Sequence, residues 1–333
     1  MTAHTRPLAE LRRDDAVEFG GKSANLGELL AAGVPVPSGF AIGAAAYREF
    51  VRATGLDGTI AAALRRSDDE ASKAIGETMR FAPLPEELRA ELAGRYSELG
   101  EPPVAVRSSA LGEDSSDATF AGQQESFLWV RGTEHVCDAV RDCWASLYTP
   151  RAIAYRRRLG APGEAMGVTV QEMVDARVSG VLFTCNPVSG DPSMVAVNAS
   201  WGLGIAVVGG EATPDDYLVS KVTGEIVRQT VSSKEIEYVP DAAGRGTVRR
   251  EVPAELRDVP CLEPGQLATL VELGRRVEQH FGSHQDVEWA IDRRGSPLVL
   301  QARPVTAMQK TAPKLSRSAL SLVMSTFGVP DTE

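Results

Sequence analysis

Cysteine and histidine are scarce in this chain, no long apolar run occurs, and no positive charge balance exists. Four cysteines, Cys137, Cys143, Cys185 and Cys261, are scattered through 333 residues without a C-x-x-C spacing. That argues against a disulfide framework or a zinc site and fits reduced thiols in a cytoplasmic protein. No apolar run approaches the roughly 20 residues that cross a bilayer, so no membrane partner is expected. The first stretch, Met1 to Asp15, is polar and charged, unlike a signal peptide. The formal net charge is −10, which argues against nucleic acid as a partner. Internal repeats and low-complexity blocks are also missing. What remains is ordinary globular usage, 43% hydrophobic and 24% charged.

Helical and strand patterns alternate, which predicts a mixed α/β protein of the α+β kind. Ser23 to Leu30 reads as a helix that Gly33 stops, and Gly39 to Ile42 as a short strand. Helices are expected over Ala44 to Arg95, with a turn at Pro83 and Pro85. From Val104 strands dominate: Val104–Arg107, Ser126–Val130, Gly167–Val174, Val178–Thr184, Met194–Val197 and Tyr217–Ser220. Further helices are expected over Val136–Ser146, Pro150–Arg158 and Gly265–Phe281. The lobe boundary is set near residue 105. It gives a first lobe over 1–105, a second over 106–306 and a tail over 307–333.

The strongest chemical signal is a hairpin. Asp286-Val-Glu-Trp-Ala-Ile and Leu298-Val-Leu-Gln-Ala-Arg303 flank a turn at Arg293-Arg-Gly-Ser-Pro. A period of two puts Asp286 and Glu288 on one face of the first strand, and Gln301 and Arg303 on one face of the second. Two carboxylates, an amide and a guanidinium on an apolar hairpin are costly unless a cation and an anion join them. A magnesium-bound polyphosphate supplies both.

Three further motifs have weaker individual meaning. Gly20-Gly21-Lys22-Ser23 opens a helix like the end of a Walker A loop, but the first glycine of that pattern is replaced by Ala16. Its glycine pair still lets backbone approach a phosphate beside a lysine at a helix N-terminus. Arg107 ends a strand before a loop of small and acidic residues, Ser108 to Asp117, that runs into Thr119-Phe-Ala-Gly122-Gln. An arginine there can grip a phosphate while the loop acts as a lid. Gln171, Met173 and Val174 lie where a strand edge could meet an adenine. Trp201-Gly-Leu-Gly204 fails as a dinucleotide loop, because Val207 stands at its last glycine position.

Taken in order, these segments resemble a known family. Gly20-Gly-Lys-Ser-Ala-Asn-Leu-Gly-Glu, Val106-Arg-Ser-Ser-Ala, Phe120-Ala-Gly-Gln-Gln, Ser200-Trp-Gly-Leu-Gly with Pro214-Asp, and Asp286-Val-Glu-Trp with Leu300-Gln-Ala-Arg-Pro resemble the nucleotide-binding domain of phosphoenolpyruvate synthase, pyruvate phosphate dikinase and rifampin phosphotransferase. The resemblance covers about residues 15 to 306. It implies an ATP-grasp-like fold whose two lobes clamp ATP and Mg2+. It also implies that Lys22 and Arg107 are catalytic phosphate ligands, and that Gly122 and Ser126 cover the nucleotide. By the same resemblance, Gln171, Met173 and Val174 hold the adenine. Asp286, Glu288 and Gln301 hold the metal, with Glu288, Gln301 and Arg303 also contacting nucleotide.

Two departures bear on function. Ile205 follows Gly-Leu-Gly where relatives often have Glu, and none of the chain's four histidines lies in a carrier-type motif. His284, two residues before Asp286, is a candidate general base if strand alternation carries it into the cleft. The favoured expectation is therefore an ATP-dependent kinase that phosphorylates a hydroxyl of a small-molecule acceptor, such as a natural product or a cationic sugar. The alternatives are a split phosphoenolpyruvate synthase-type subunit that phosphorylates a histidine on a separate carrier protein, and a non-catalytic ATP-binding module.

Overall fold

A computed structural model describes residues 4–111, 125–159, 165–244 and 246–305. It contains two antiparallel sheets, so the mixed α/β class holds. The first sheet combines β1 (Thr5–Pro7), β2 (Gly39–Ile42), β3 (Val104–Ala110), β4 (Ser126–Val130) and β5 (Met166–Glu172), in the order β1-β2-β5-β3-β4. The second combines β6 (Ala176–Phe183), β7 (Met194–Trp201), β8 (Asp215–Ser220) and β9 (Ile226–Thr230) with β12 (Gln285–Asp292) and β13 (Pro297–Pro304). Its order is β13-β12-β6-β7-β8-β9. Strands β10 (Ile236–Pro240) and β11 (Thr247–Glu251) form a separate hairpin.

Residue 105 lies inside β3, and the first sheet draws strands from both sides of it. By sheet membership the chain divides between Glu172 and Ala176 instead. The expected tail, 307–333, lies outside the described residues.

Helices back both sheets. The first sheet is covered by α3 (Ala44–Thr54), α4 (Leu56–Ala63), α5 (Asp68–Phe81), α6 (Glu86–Glu98), α7 (Thr133–Ala145) and α8 (Pro150–Leu159). In α5 a capping box between Ser67 and Glu70 starts the helix, and Ala71, Ile75 and Met79 recur at i, i+4 and i+8 to face the core. Phe50 stacks on Trp144 with ring centroids 5.2 Å apart, joining α3 to α7. The second sheet is backed by α11 (Pro264–Phe281), which follows the short α9 (Ile205–Val208) and α10 (Ala254–Arg257). Pro264 sits in its first turn and Gly282, at φ 68°, ends it.

The helix that positions the site is α2 (Gly21–Ala31), which follows the four-residue α1 (Ala16–Phe19). Leu26 and Leu29 bury in the core beneath the second sheet, while its N-terminal turn abuts β3 of the first. Gly20 makes that approach possible. Its φ is 80°, and a Cβ there would stand 2.2 Å from the Ser109 hydroxyl. The glycine therefore serves packing against β3, where sequence suggested a phosphate approach.

The N-terminal strand is pinned by one carboxylate. Glu91 on α6 accepts from the Thr5 amide at 2.7 Å, the Thr5 hydroxyl at 2.6 Å and the His4 amide at 3.3 Å. Burial pushes its carboxyl up, but these hydrogen bonds outweigh burial and hold it below the ordinary 4.5. The stabilisation is thus complete above that value and is lost as pH falls through the lowered one. Glu91→Ala should cost about 2 kcal/mol at pH 7 in urea denaturation. The gap to wild type should close as pH falls through the lowered value; a gap that does not narrow at any acid pH where the protein stays folded contradicts the assignment.

Candidate nucleotide site

A cavity of about 460 Å³ opens between the two sheets, within the ordinary size of a small-molecule site. Arg107, Ser126 and Gln171 reach it from β3, β4 and β5 of the first sheet. Glu288 and Leu300 reach it from β12 and β13 of the second. Met173 and Val174, just beyond β5, complete an apolar floor with Ala176, Leu203 and Ala290. A larger hollow of about 650 Å³ lies between α3 and the turn after α5, but no arginine, lysine or aspartate lines it. Volume alone does not select the site; convergent charge does.

At the polar end the two sheets are joined by an ion pair. The Arg107 Nη2 donates to Glu288 Oε2 at 2.9 Å, and both side chains are largely buried. Arg107 Nη1 also points to the Leu300 carbonyl at 3.5 Å. Burial pushes the Glu288 carboxyl up, yet the charge and hydrogen bond of Arg107, with further help from Lys22 and Arg303, hold it below the usual range. One step along the hairpin, Asp286 and Arg303 face each other across β12 and β13, and Arg303 Nε donates to Asp286 Oδ2 at 2.8 Å. Here burial wins. The Asp286 carboxyl is raised, with Arg303 offsetting part of the effect and Glu288 adding to it. Gln301 faces Glu288 in the same register. The two strands expected from the sequence thus pair, and the pairing sets Asp286 opposite Arg303 and Glu288 opposite Gln301.

Lys22 stands behind the cavity wall. It is 4% exposed, and its Nζ donates to the Ser108 carbonyl at 2.9 Å. Its charge nevertheless reaches Glu288. Asp286, Gln301 and Arg303 likewise join the cavity through Glu288 rather than lining it.

Other expectations fare differently. Gly122 and the lid loop fall outside the described residues. The Met173 amide already donates to the Pro103 carbonyl at 2.8 Å, so its backbone donor is not offered to a ligand. His284 does not enter the cleft. It precedes β12, and its Nδ1 lies 2.6 Å from Glu278 Oε1 on α11, on the opposite side of the sheet from the cavity. Strand alternation cannot be extended to a residue that is outside the strand. The Gly-Leu-Gly segment of the family resemblance and its departure at Ile205 do reach the cavity. Leu203, Gly204 and Ile205 line the cavity, held by the Ser179 hydroxyl on the Gly202 carbonyl at 2.6 Å and by the Leu203 amide on the Tyr238 carbonyl at 2.8 Å.

The donor set suits a hard cation with a polyphosphate. Among the described residues Asp286 Oδ1, Gln301 Oε1, Arg107 Nε and Gln171 Nε2 are buried without a hydrogen-bond partner. Two are acceptors, one on the carboxylate pair itself and one on Gln301 beside it, and two are donors on residues that line the cavity, a set that a metal and an anionic nucleotide would satisfy. No group of three or more histidine, cysteine, aspartate or glutamate side chains is positioned for a metal among the described residues. A metal held here would draw further ligands from phosphate and water, as magnesium does. No described helix is long and apolar enough to cross a membrane.

Residues 17–321 match the family model described as pyruvate phosphate dikinase, AMP/ATP-binding domain. A probable phosphoenolpyruvate synthase of Methanothermobacter thermautotrophicus is 41% identical over 98% of this chain and 50% of its own length. The phosphoenolpyruvate synthase of Aeropyrum pernix is 39% identical over 91% of this chain and 42% of its own length. The chain thus spans half or less of these curated relatives. Among solved structures, the ADP complex of purK, N5-carboxyaminoimidazole ribonucleotide synthetase, is 10% identical with a TM-score of 0.35, covering 87% of this chain and 45% of that one.

Proposed function

Because this chain belongs to the pyruvate phosphate dikinase AMP/ATP-binding domain family, we propose that it binds ATP and Mg2+ between its two sheets in an ATP-grasp-like clamp and passes phosphate to a histidine on a separate carrier domain or chain. This is the ATP-dependent half of phosphoenolpyruvate synthase-type chemistry. The observation that carries it is the Arg107–Glu288 pair spanning the cleft, with the unpartnered Asp286 and Gln301 oxygens beside it. Direct phosphorylation of a small-molecule hydroxyl takes second place, since the curated relatives along nearly the whole chain are phosphoenolpyruvate synthases.

In this reading no side chain of the chain attacks phosphorus. Phosphoryl transfer depends on positioning and charge. Arg107 grips phosphate oxygens from β3, and Lys22 adds positive potential from behind the wall. Gln171 and the apolar floor orient the base and exclude water from that end of the cleft. Magnesium, when bound, neutralises phosphate charge, and Asp286, Glu288 and Gln301 would hold it.

The test is incubation with ATP, Mg2+ and the isolated histidine-carrier domain of a phosphoenolpyruvate synthase relative. AMP is expected, with the two phosphates lost from ATP recovered as one acid-labile phosphate on the carrier and one inorganic phosphate released to water. ADP with a phosphorylated small hydroxyl compound would reinstate the direct kinase. Tight ATP binding without turnover under either condition would leave a binding module.

A further inference from the structure

Each carboxylate proposed to hold the metal is already held by an arginine. Glu288 is paired with Arg107 at 2.9 Å and Asp286 with Arg303 at 2.8 Å. The two pairs are neighbours on one hairpin face, since Asp286 faces Arg303 and Glu288 faces Gln301. From this we infer that Arg107 and Arg303 guard the acidic pair, so that metal and nucleotide bind only together, by an exchange of partners. The inference rests on the proposed nucleotide site and concerns how that site admits its ligands.

Consider each ligand alone. A dication entering without nucleotide competes with both arginines for the charge of the two carboxylates and weakens each pair. Arg107, only 14% exposed, would then be a largely buried cation beside a second cation, with the Lys22 ammonium near as well. Full loss of one member of such a pair is the expensive limit. A triphosphate entering without metal meets the opposite problem. It can engage the guanidinium groups only by stripping them from Asp286 and Glu288, which then face phosphate oxygens of like charge. When both enter, phosphate takes the arginines and metal takes the carboxylates. The unpartnered Asp286 Oδ1, Gln301 Oε1 and Arg107 Nε are also positioned to gain partners in that exchange. Every charge then ends paired, so each ligand raises the affinity for the other by the same factor.

Arg303 is the informative position. Its side chain is 53% exposed, so its replacement leaves little buried surface to lose, while Asp286, at 12%, remains in place. In the intact protein, Mn2+ serves as a spectroscopic stand-in for magnesium and a β,γ-imido analogue stands in for ATP. Mn2+ binding followed by electron paramagnetic resonance should tighten by at least about 30-fold when the analogue is present, within the usual span of site coupling. Calorimetry should give the reciprocal factor for the analogue with and without metal. Arg303→Met should strengthen Mn2+ binding in the absence of nucleotide and shrink the coupling several-fold. Arg303→Lys, which keeps the charge, should preserve most of the coupling. Mn2+ binding that is equally tight without the analogue, or coupling unchanged in Arg303→Met, overturns the inference while leaving the nucleotide site standing. Failure of the analogue to bind at all, with Mn2+ present, overturns both.

Discussion

Glu288→Gln is expected to yield a folded protein whose magnesium-dependent ATP affinity has fallen by at least the roughly 10- to 100-fold that loss of even an outer partner of a metal ligand costs. Gln keeps the shape and can still accept a hydrogen bond from Arg107, but it offers the metal no charge. Arg107→Met is expected to be worse for the fold. It strands a largely buried carboxylate, for which losses of about 3–5 kcal/mol are typical. The informative protein is the double variant. With both charges gone no buried ion is left alone, and replacing such a pair by neutral groups of similar size is often neutral or stabilising. Arg107→Met/Glu288→Gln should therefore regain most of the stability lost by Arg107→Met, read by urea denaturation without nucleotide, while binding no ATP by calorimetry. Recovery of stability without recovery of binding identifies a pair kept for its ligand. Wild-type ATP affinity in Glu288→Gln would remove that residue from the metal site.

The hairpin of this candidate site is legible in sequence because it depends on local alternation. Asp286, Glu288, Gln301 and Arg303 lie on one short hairpin, and a period of two is enough to place them together. Helices α5 and α11 announce themselves by capping residues and spaced apolar positions. What could not be read is non-local. Nothing in Met166–Glu172 reveals that it lies between β2 and β3, so the lobe division was set inside a continuous sheet. Strands β9 and β11 went unseen because nearly every residue in them is exposed, leaving no apolar alternation to detect. Gly20 was read as an opening for phosphate, since sequence cannot say which neighbour a glycine admits; here it is Ser109. His284 failed for a related reason, because the parity argument ran one residue past the start of β12.

The Pro214-Asp motif belongs to the family resemblance yet lies away from the cavity, and its role is predicted to be architectural. Asp215 begins β8 with no exposed surface. One oxygen takes the Lys234 ammonium at 2.5 Å and the Ser232 amide at 3.0 Å. The other takes the Cys261 amide at 2.9 Å and its thiol at 3.2 Å. Lys234 is equally buried and also donates to the Ser232 carbonyl at 2.7 Å. A single carboxylate thus ties β8 to two separate loops, those carrying Lys234 and Cys261. Asp215→Ala would leave a fully buried ammonium opposite a cavity, at a cost of about 3–5 kcal/mol. Set against total stabilities of about 5–15 kcal/mol, that is enough to unfold much of the protein at growth temperature. Asp215→Asn restores volume but not charge and should rescue little. Asp215→Asn/Lys234→Met removes both ions and should rescue much of the loss, as thermal denaturation would show. Because Asp215 does not line the nucleotide cavity, whatever fraction of each variant folds should bind ATP with unchanged affinity. A stable Asp215→Ala protein that had lost ATP binding would instead move this motif from the scaffold into the site.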